Sequence, residues 1–372
     1  MSEEKIKAYK AFDKDMKCLD FQYEVGKEYS MDGDISICNR GFHACECPMD
    51  MWNYYDMTTS RFAVVEQSGQ IDKSIYDTKV CSSKIKIKAE LKLADIINLG
   101  VEWVKNITSP SKVKTDDKLN DNESDYAKIG SSGDYAQIGS SGDYAKIGSS
   151  GDFAKIGSSG CFAKIGSSGD SAKIGSSGDF AKIGSSDFAQ IGSSGDYAQI
   201  GSSGDYAQIG SSGDYAQIGS SSDSAQIGSS GCSAKIGLSG DYAQIGSSGC
   251  YAKIDSSGDS AQIGSSGCSA QIGSSGDSAK IDSSGDSAKI GSSGDFAKIK
   301  SEGQDSVVMC AGVNSIASAK IGSWITLAEW KYDKNEERWI PVCVKTERVD
   351  GERIKADTFY RLKDGEFVEA EP

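Results

Sequence analysis

Between residues 125 and 303 the apolar positions of the chain recur with a period of nine. Ala and Ile stand two apart in every unit, from Ala127 and Ile129 to Ala297 and Ile299, flanked by Tyr, Phe or Ser and separated by Lys or Gln. Alternation of this kind marks a half-buried strand, so Ala and Ile are expected to face inward and the aromatic and Lys/Gln positions outward. The GSSG that follows supplies two glycines able to adopt positive φ, which makes each unit one strand plus one tight corner. Twenty units run from Asp125 to the one that begins at Asp295, and the unit before Asp187 lacks a Gly. No proline falls between Pro110 and Pro341, as suits strands that must all donate to neighbours above and below. Self-similarity on this scale predicts a mainly β protein built on a β-solenoid, or β-helix.

Two spacings bear on the coil. Cys232, Cys250 and Cys268, which replace the repeat Asp, are 18 apart, as on one face of a two-unit coil, whereas Asp255 and Asp282 are 27 apart, which fits three units. A thin Ala/Ile core favours two units per coil, and ten such coils at about 4.8 Å each give a rod about 45 to 50 Å long.

The flanks have ordinary globular patterns. Residues 1–112 read as an α+β domain of short strands with helices over 47–55 and 93–103, the second expected to cover the open N-terminal end of the rod. Residues 113–124 read as a linker. Over 304–372 the repeat decays: DSVVMCAGV puts Val for Ala and Met for Ile, and SAKIGSW restores a last partial unit. WITLAEW, WIPVCVKTERV and DTFYRLKDGEFVEA then predict a small antiparallel β cap, its last pair joined by a Lys-Asp-Gly turn. Trp324, Trp330 and Trp339 are candidates for sealing the far end or for an oligomer interface, so a homo-oligomer is one expectation.

Composition narrows the setting. Eleven cysteines form no disulfide framework, and Met1 is followed by SEEK without an apolar leader, which points to a reduced, cytoplasmic protein. No run of about 18 apolar residues exists, so no membrane span is expected. The net charge of −14 argues against direct nucleic-acid binding. Eighteen Asp against twelve Lys leave −6 on residues 125–300, and the other −8 lies in the flanks. Eleven units carry Lys and nine Gln at the same position, an interleaving expected to relieve repulsion between stacked amines. A candidate interaction surface comprises Tyr126, Tyr135, Tyr144, Tyr197, Tyr206 and Tyr215 with Asp134, Asp205 and Asp214. Ala136, Ile138, Ala216 and Ile218 are expected in the core. The repeat Asp is read as a corner cap for backbone N–H groups. It stands one place too early for calcium-binding nonapeptides, and no cofactor is expected.

The only histidine lies in CNRGFHACEC. Cys38, His43, Cys45 and Cys47 are zinc-capable, but a C-x-C pair departs from paired CxxC knuckles, and a structural His43 is the expectation. The same segment, with the helix and FAVVE strand after it, resembles ADP-ribosyltransferase-like folds. That resemblance would give His43 a nicotinamide dinucleotide and leave Glu66 as the available acid. The expectation remains a protein that is not an enzyme.

YKAFDKDMKC, FQYEVGKEY, CNRGFHACECP and SRFAVVEQSGQI, with IGSWITLAEW and VDGERIKADTFYRLKDGEFVE near the C-terminus, resemble a family of uncharacterised phage and prophage proteins. In that family a conserved-type N-terminal domain precedes nine-residue Gly-Asp-x-Ser-Ala repeats; this chain departs by using Ala-x-Ile. The resemblance implies a phage origin and hence the host bacterial cytosol. Shape, charge and resemblance together lead to the expectation of a non-enzymatic binding protein that engages a host protein or complex. Such a protein would serve as a counter-defence (anti-CRISPR or similar) inhibitor, through steric blocking or nucleic-acid mimicry by an acidic rod. The alternatives are a virion, tail-fibre or assembly component, and an N-terminal enzyme.

Overall fold

The computed structural model describes residues 5–56, 59–74, 78–108 and 125–371; the expected 113–124 linker lies outside them. From Lys128 onward each unit contributes one four-residue strand, Lys or Gln followed by Ile-Gly-Ser in all but four units. Strands eighteen residues apart pair in parallel and in register, as Ile147 does with Ile129 and with Ile165. Alternate strands therefore build two separate parallel sheets. This is the two-unit coil, and it places Asp255 and Asp282 on opposite faces rather than in one column.

Ile points inward along the rod with Ala just ahead of the strand, and most of both columns is almost inaccessible. Ala216 and Ile218 lie in that core, as does Ile138, whereas Ala136 in the first coil is only half-buried. The first Ser of GSSG also points inward. Its hydroxyl is buried without a hydrogen-bond partner in coil after coil, Ser149, Ser167 and Ser202 among them. Leu238 and Cys310 occupy this column with no disturbance of the stacking, so the position is apolar in character.

The corner differs from the sequence expectation. The repeat glycines do not take positive φ; the residue after the Asp position does in every unit but those of Tyr126 and Tyr144, at φ 61 for Tyr135, 57 for Ser171 and 58 for Tyr215. A left-handed non-glycine residue costs about 1–2 kcal/mol, and the geometry shows what offsets it. The peptide is turned along the rod axis, so that Tyr135 N–H donates to Asp152 O of the next coil at 2.8 Å and Tyr215 N–H to Cys232 O at 2.9 Å. The last Gly of the unit is needed for close approach instead: a Cβ on Gly151 would lie 2.0 Å from Gly133 O, and one on Gly231 1.9 Å from Gly213 O. The aromatic residue is thus a corner residue rather than a strand residue. The missing Gly before Asp187 is absorbed here too, since Lys173 pairs with Gln190, and pairing beyond it returns to the eighteen-residue spacing.

Stacking continues past Gly303. Val307 to Cys310 pairs with Lys289 to Ser292, so Val308 takes the Ile place and Met309 the Gly place, one residue away from the alignment the text suggested. Gln304 stands where Asp is usual and Asp305 takes the left-handed corner, at φ 53. SAKIGSW is not a last unit: Ile321 is exposed, Gly322 has φ 93, and the next stacked strand is Trp324 to Leu327. The Trp324–Asp333 and Arg338–Arg348 hairpin then extends one sheet, and Tyr360–Lys363 with Glu366–Glu369 extends the other. Asp364 and Gly365 form the expected turn, both at positive φ.

The N-terminal domain is β-rich. Strands Lys79–Leu91, Phe42–Cys45, Ile6–Phe12 and Arg61–Lys73 pair in that order, all antiparallel, and the first and last also pair, closing the sheet on itself. The helix expected over 47–55 is a short 3-10 turn, Pro48–Asn53, started by a Pro that lacks the N–H a strand would need. Helix α1, Leu93–Thr108, is present but does not cover the end of the rod. It lies along one face, packed across strands from Gln137–Ser140 to Gln244–Ser247. Sixteen residues make about 24 Å of helix, the span of about five strands at 4.8 Å.

Candidate functional site

The two faces of the solenoid are built from one repeat but meet different surroundings. On the face under α1 the strand glycines form a trough that receives an apolar helix ridge. A Cβ on Gly228 would lie 2.7 Å from Ile97 Cγ1 and 2.9 Å from Trp52 Cη2; one on Gly210, 3.2 Å from both Met49 Sδ and Val101 Cγ2; one on Gly192, 3.1 Å from Val104 Cβ. Beside this trough the Lys/Gln column runs Gln190, Gln208, Gln226. Their amides donate to Asp50 Oδ1 at 2.7 Å, Asn53 Oδ1 at 2.8 Å and Trp52 O at 2.9 Å, and Gln190 also reaches Gln208 Oε1 at 3.1 Å. Gln is therefore placed where an amine would be buried against the N-terminal domain. At the edge of the contact Lys173 sits 5.2 Å from the centre of the Trp103 ring.

On the opposite face the corresponding trough, Gly130, Gly148, Gly166, Gly184, Gly201, Gly219 and Gly237, is exposed, and a Cβ on any of them would meet nothing within 4 Å. The groove encloses about 1200 Å³ and stops where Asp255 stands in the glycine column. Four lysines in succession, Lys128, Lys146, Lys164 and Lys182, line it in register. None has a carboxylate partner among the described residues. Interleaved Gln thus does not separate the lysines over these coils.

Each flank of the face is a corner. Tyr126, Tyr144, Phe162, Phe180, Tyr197 and Tyr215 form one continuous ladder of parallel rings, 5.0–5.2 Å between centroids. Tyr135 and Tyr206, on the other corner, stack with Phe153 and Phe188. All six predicted tyrosines are exposed; Tyr144 and Tyr197 are stacked on both ring faces and offer edges and hydroxyls, whereas Tyr126, Tyr135, Tyr206 and Tyr215 end their ladders, each with a ring stacked on one face. Asp134 and Asp214 accept from Asp152 N and Cys232 N of the next coil at 3.1 and 2.7 Å. The cap joins coils rather than closing a local turn. Asp205 occupies the same corner position, its carbonyl accepting from Phe188 N at 3.0 Å. Cys232, Cys250 and Cys268 stack in the Asp column of one corner, and Cys268 Sγ donates to Cys250 Sγ at 2.7 Å.

A second concavity, of about 860 Å³, lies in the N-terminal domain between Tyr23, Phe42, His43 and Tyr55. Lys10 is buried in its wall; its Nζ donates to His43 O at 3.0 Å and Cys18 Sγ at 3.5 Å and lies over the Phe12 and Tyr23 rings. Burial pushes its pKa down, against the pull of Cys18. His43 is also held low by burial and by Lys10, and its Nε2 accepts from Cys38 N–H at 2.9 Å. Sequence reasoning missed Lys10, whose Y-K-A context looks like any solvated lysine. The four zinc-capable residues do not converge: Cys45 and Cys47 are buried in the core under α1, Cys38 is exposed, and no metal-sized cluster occurs among the described residues. Glu66 is not in this cleft; Lys5 and Lys88 hold it as an ion pair elsewhere. Trp330 Nε1 donates to Ala311 O at 2.7 Å, while Trp324 and Trp339 stay exposed.

No helix among the described residues is long and apolar enough to cross a membrane. No curated protein and no solved structure matches the chain. Residues 6–99, from the first strand to the first half of α1, match the family described as Domain of unknown function (DUF7666), so the chain carries that domain ahead of its solenoid.

Proposed function

We propose that the protein is a non-enzymatic binding protein which engages a host protein or protein complex along the uncovered face of its rod and blocks it sterically, as a phage-encoded counter-defence inhibitor would. The observation that carries the reading is the inequality of two faces made from one repeat. One is filled by α1, and the other presents seven exposed trough glycines with a row of unpaired lysines beside them. Steric blocking fits this face better than nucleic-acid mimicry, because its charged row is cationic and the Asp rows lie at the corners. The test is capture from a bacterial lysate, with and without nuclease, by the unmodified protein and by Lys146→Glu/Lys164→Glu/Lys182→Glu. A stoichiometric host protein retained by the first and lost by the second supports the reading; equal retention, or nothing retained, refutes it.

A second reading, a homo-oligomeric virion or assembly component, draws on the C-terminal hairpin, whose edge strand exposes Trp339, Val342 and Val344 at 43, 56 and 65 %. A molar mass in solution separates the two.

A further inference from the structure

We infer that the empty glycine trough is a docking groove for an amphipathic α-helix from a partner protein, with an Ile/Val ridge and acidic flanks. This rests on the binding-protein reading above and names the partner's chemistry. The molecule already contains the filled counterpart: on the other face an identical column of strand glycines takes Ile97, Val101 and Val104 of α1, with the trough walls formed by the same repeat positions. A helix ridge with i, i+4 and i+7 spacing advances about 6 Å and then about 4.5 Å, on average about 5 Å per step, close enough to the coil spacing of about 4.8 Å for a slightly inclined helix to keep one ridge residue over each glycine.

What differs between the faces is the polar row beside the trough, and that difference specifies the flanks. Under α1 the row runs Lys155, Lys173, Gln190, Gln208 and Gln226, and its three glutamines bond to neutral or single carboxylate acceptors. Along the empty trough it begins with Lys128, Lys146, Lys164 and Lys182, which calls for Glu or Asp at the helix positions facing them. Helix polarity follows as well. Asp255 closes the trough at the end away from these lysines. A helix N-terminus near Asp255 and its C-terminus over the lysines satisfies both ends of the dipole, the same direction in which α1 runs on the other face. Seven glycines at about 4.8 Å define a groove for roughly twenty helical residues.

The probe is a synthetic twenty-residue helical peptide with that Ile/Val ridge and Glu flanks, followed by fluorescence anisotropy on the full chain, against a Lys-flanked control. Gly184→Val/Gly201→Val fills the trough where the structure has open space, so folding is retained and is checked by thermal unfolding. The Glu-flanked peptide is expected to bind saturably. The glycine variant should weaken it at least tenfold, and Lys146→Gln/Lys164→Gln should weaken it and flatten its salt dependence, while the control does not bind. No saturable binding to the unmodified chain, or equal binding by the folded glycine variant, overturns the inference. If lysate capture succeeds through the lysines while the peptide fails, the helix falls and the binding-protein reading stands; failed capture removes the reading itself.

Discussion

Gly219 and Gly228 occupy the same repeat position in consecutive strands, and the structure assigns them opposite responses to one added methyl group. At Gly219 a Cβ enters open space, whereas at Gly228 it lies 2.7 Å from Ile97 Cγ1 and 2.9 Å from Trp52 Cη2, two side chains that are almost wholly buried. Ala in place of a strand Gly gains about 0.5–1 kcal/mol from the unfolded chain, and that is the whole effect expected at Gly219. At Gly228 the same gain is opposed by overpacking of about 1–3 kcal/mol, because neither Ile97 nor Trp52 can withdraw without opening the core under α1. Hydrogen exchange followed by mass spectrometry reads this locally. The difference, about 1.4 kcal/mol near the middle of these ranges, is a factor of ten, so Gly228→Ala should speed exchange in peptides covering residues 93–108 by about tenfold, while Gly219→Ala leaves them unchanged. Equal effects from the two variants, or unaltered exchange in Gly228→Ala, would refute the docking of α1 in the glycine trough.

Four further outcomes are expected. Ile218→Asp places an unpaired carboxylate in a core two side chains thick and should cost several kcal/mol; an unchanged melting temperature would contradict the stacked core. Gln208, 4 % exposed and bonded to Asn53, should tolerate Lys poorly, losing about 2 kcal/mol or more in denaturant titration, whereas Lys146→Gln on the free face should shift nothing. Ser202→Ala removes a buried hydroxyl without a partner and should raise stability by about 1 kcal/mol; a loss would mean the hydroxyl is satisfied in solution. His43 is held below its ordinary 6.5, so in the window from 6.5 down to its folded value the unfolded chain takes up more protons. Stability should fall as pH falls through that window, and pH-dependent unfolding of His43→Gln should lack this component.

The solenoid was legible because one period governs all its contacts: Ile stacks on Ile whichever unit is considered, and the thin Ala/Ile core favoured two units per coil where the cysteine and Asp spacings disagreed. The corner was not. Gly is the usual carrier of positive φ, but here the Cβ-free position is taken by inter-coil approach, and the left-handed residue is held by a hydrogen bond to a chain segment eighteen residues away. Decay of the repeat misled for a related reason, since Asp305 keeps the letter of the motif while Gln304 keeps its place. The site was less legible still. Position in the unit shows that Lys and Gln point outward, but which face an individual unit occupies, and what covers that face, depends on where α1 lies. For α1 the pattern of residues yielded the helix but pointed it at the open end of the rod, because nothing in its residues shows that the glycine trough along one face would receive it. Lys10 offered no signal, because only the folded barrel shows that its amine ends among Cys18, Tyr23 and His43.

Two units per coil gives the rod a parity. Insertion or loss of a single nine-residue unit upstream of a given coil would exchange the faces of everything beyond it, turning Gln190, Gln208 and Gln226 out to solvent and bringing Gln199 and Gln217, with Lys182 or Lys235, beneath the N-terminal domain. A change by two units would only lengthen or shorten the rod. The units are nearly identical in amino-acid sequence, and length variants that keep their fold should differ by eighteen residues. The eight-residue unit before Asp187 is tolerated on the same grounds: it shortens a corner by one residue and leaves the count of faces unchanged.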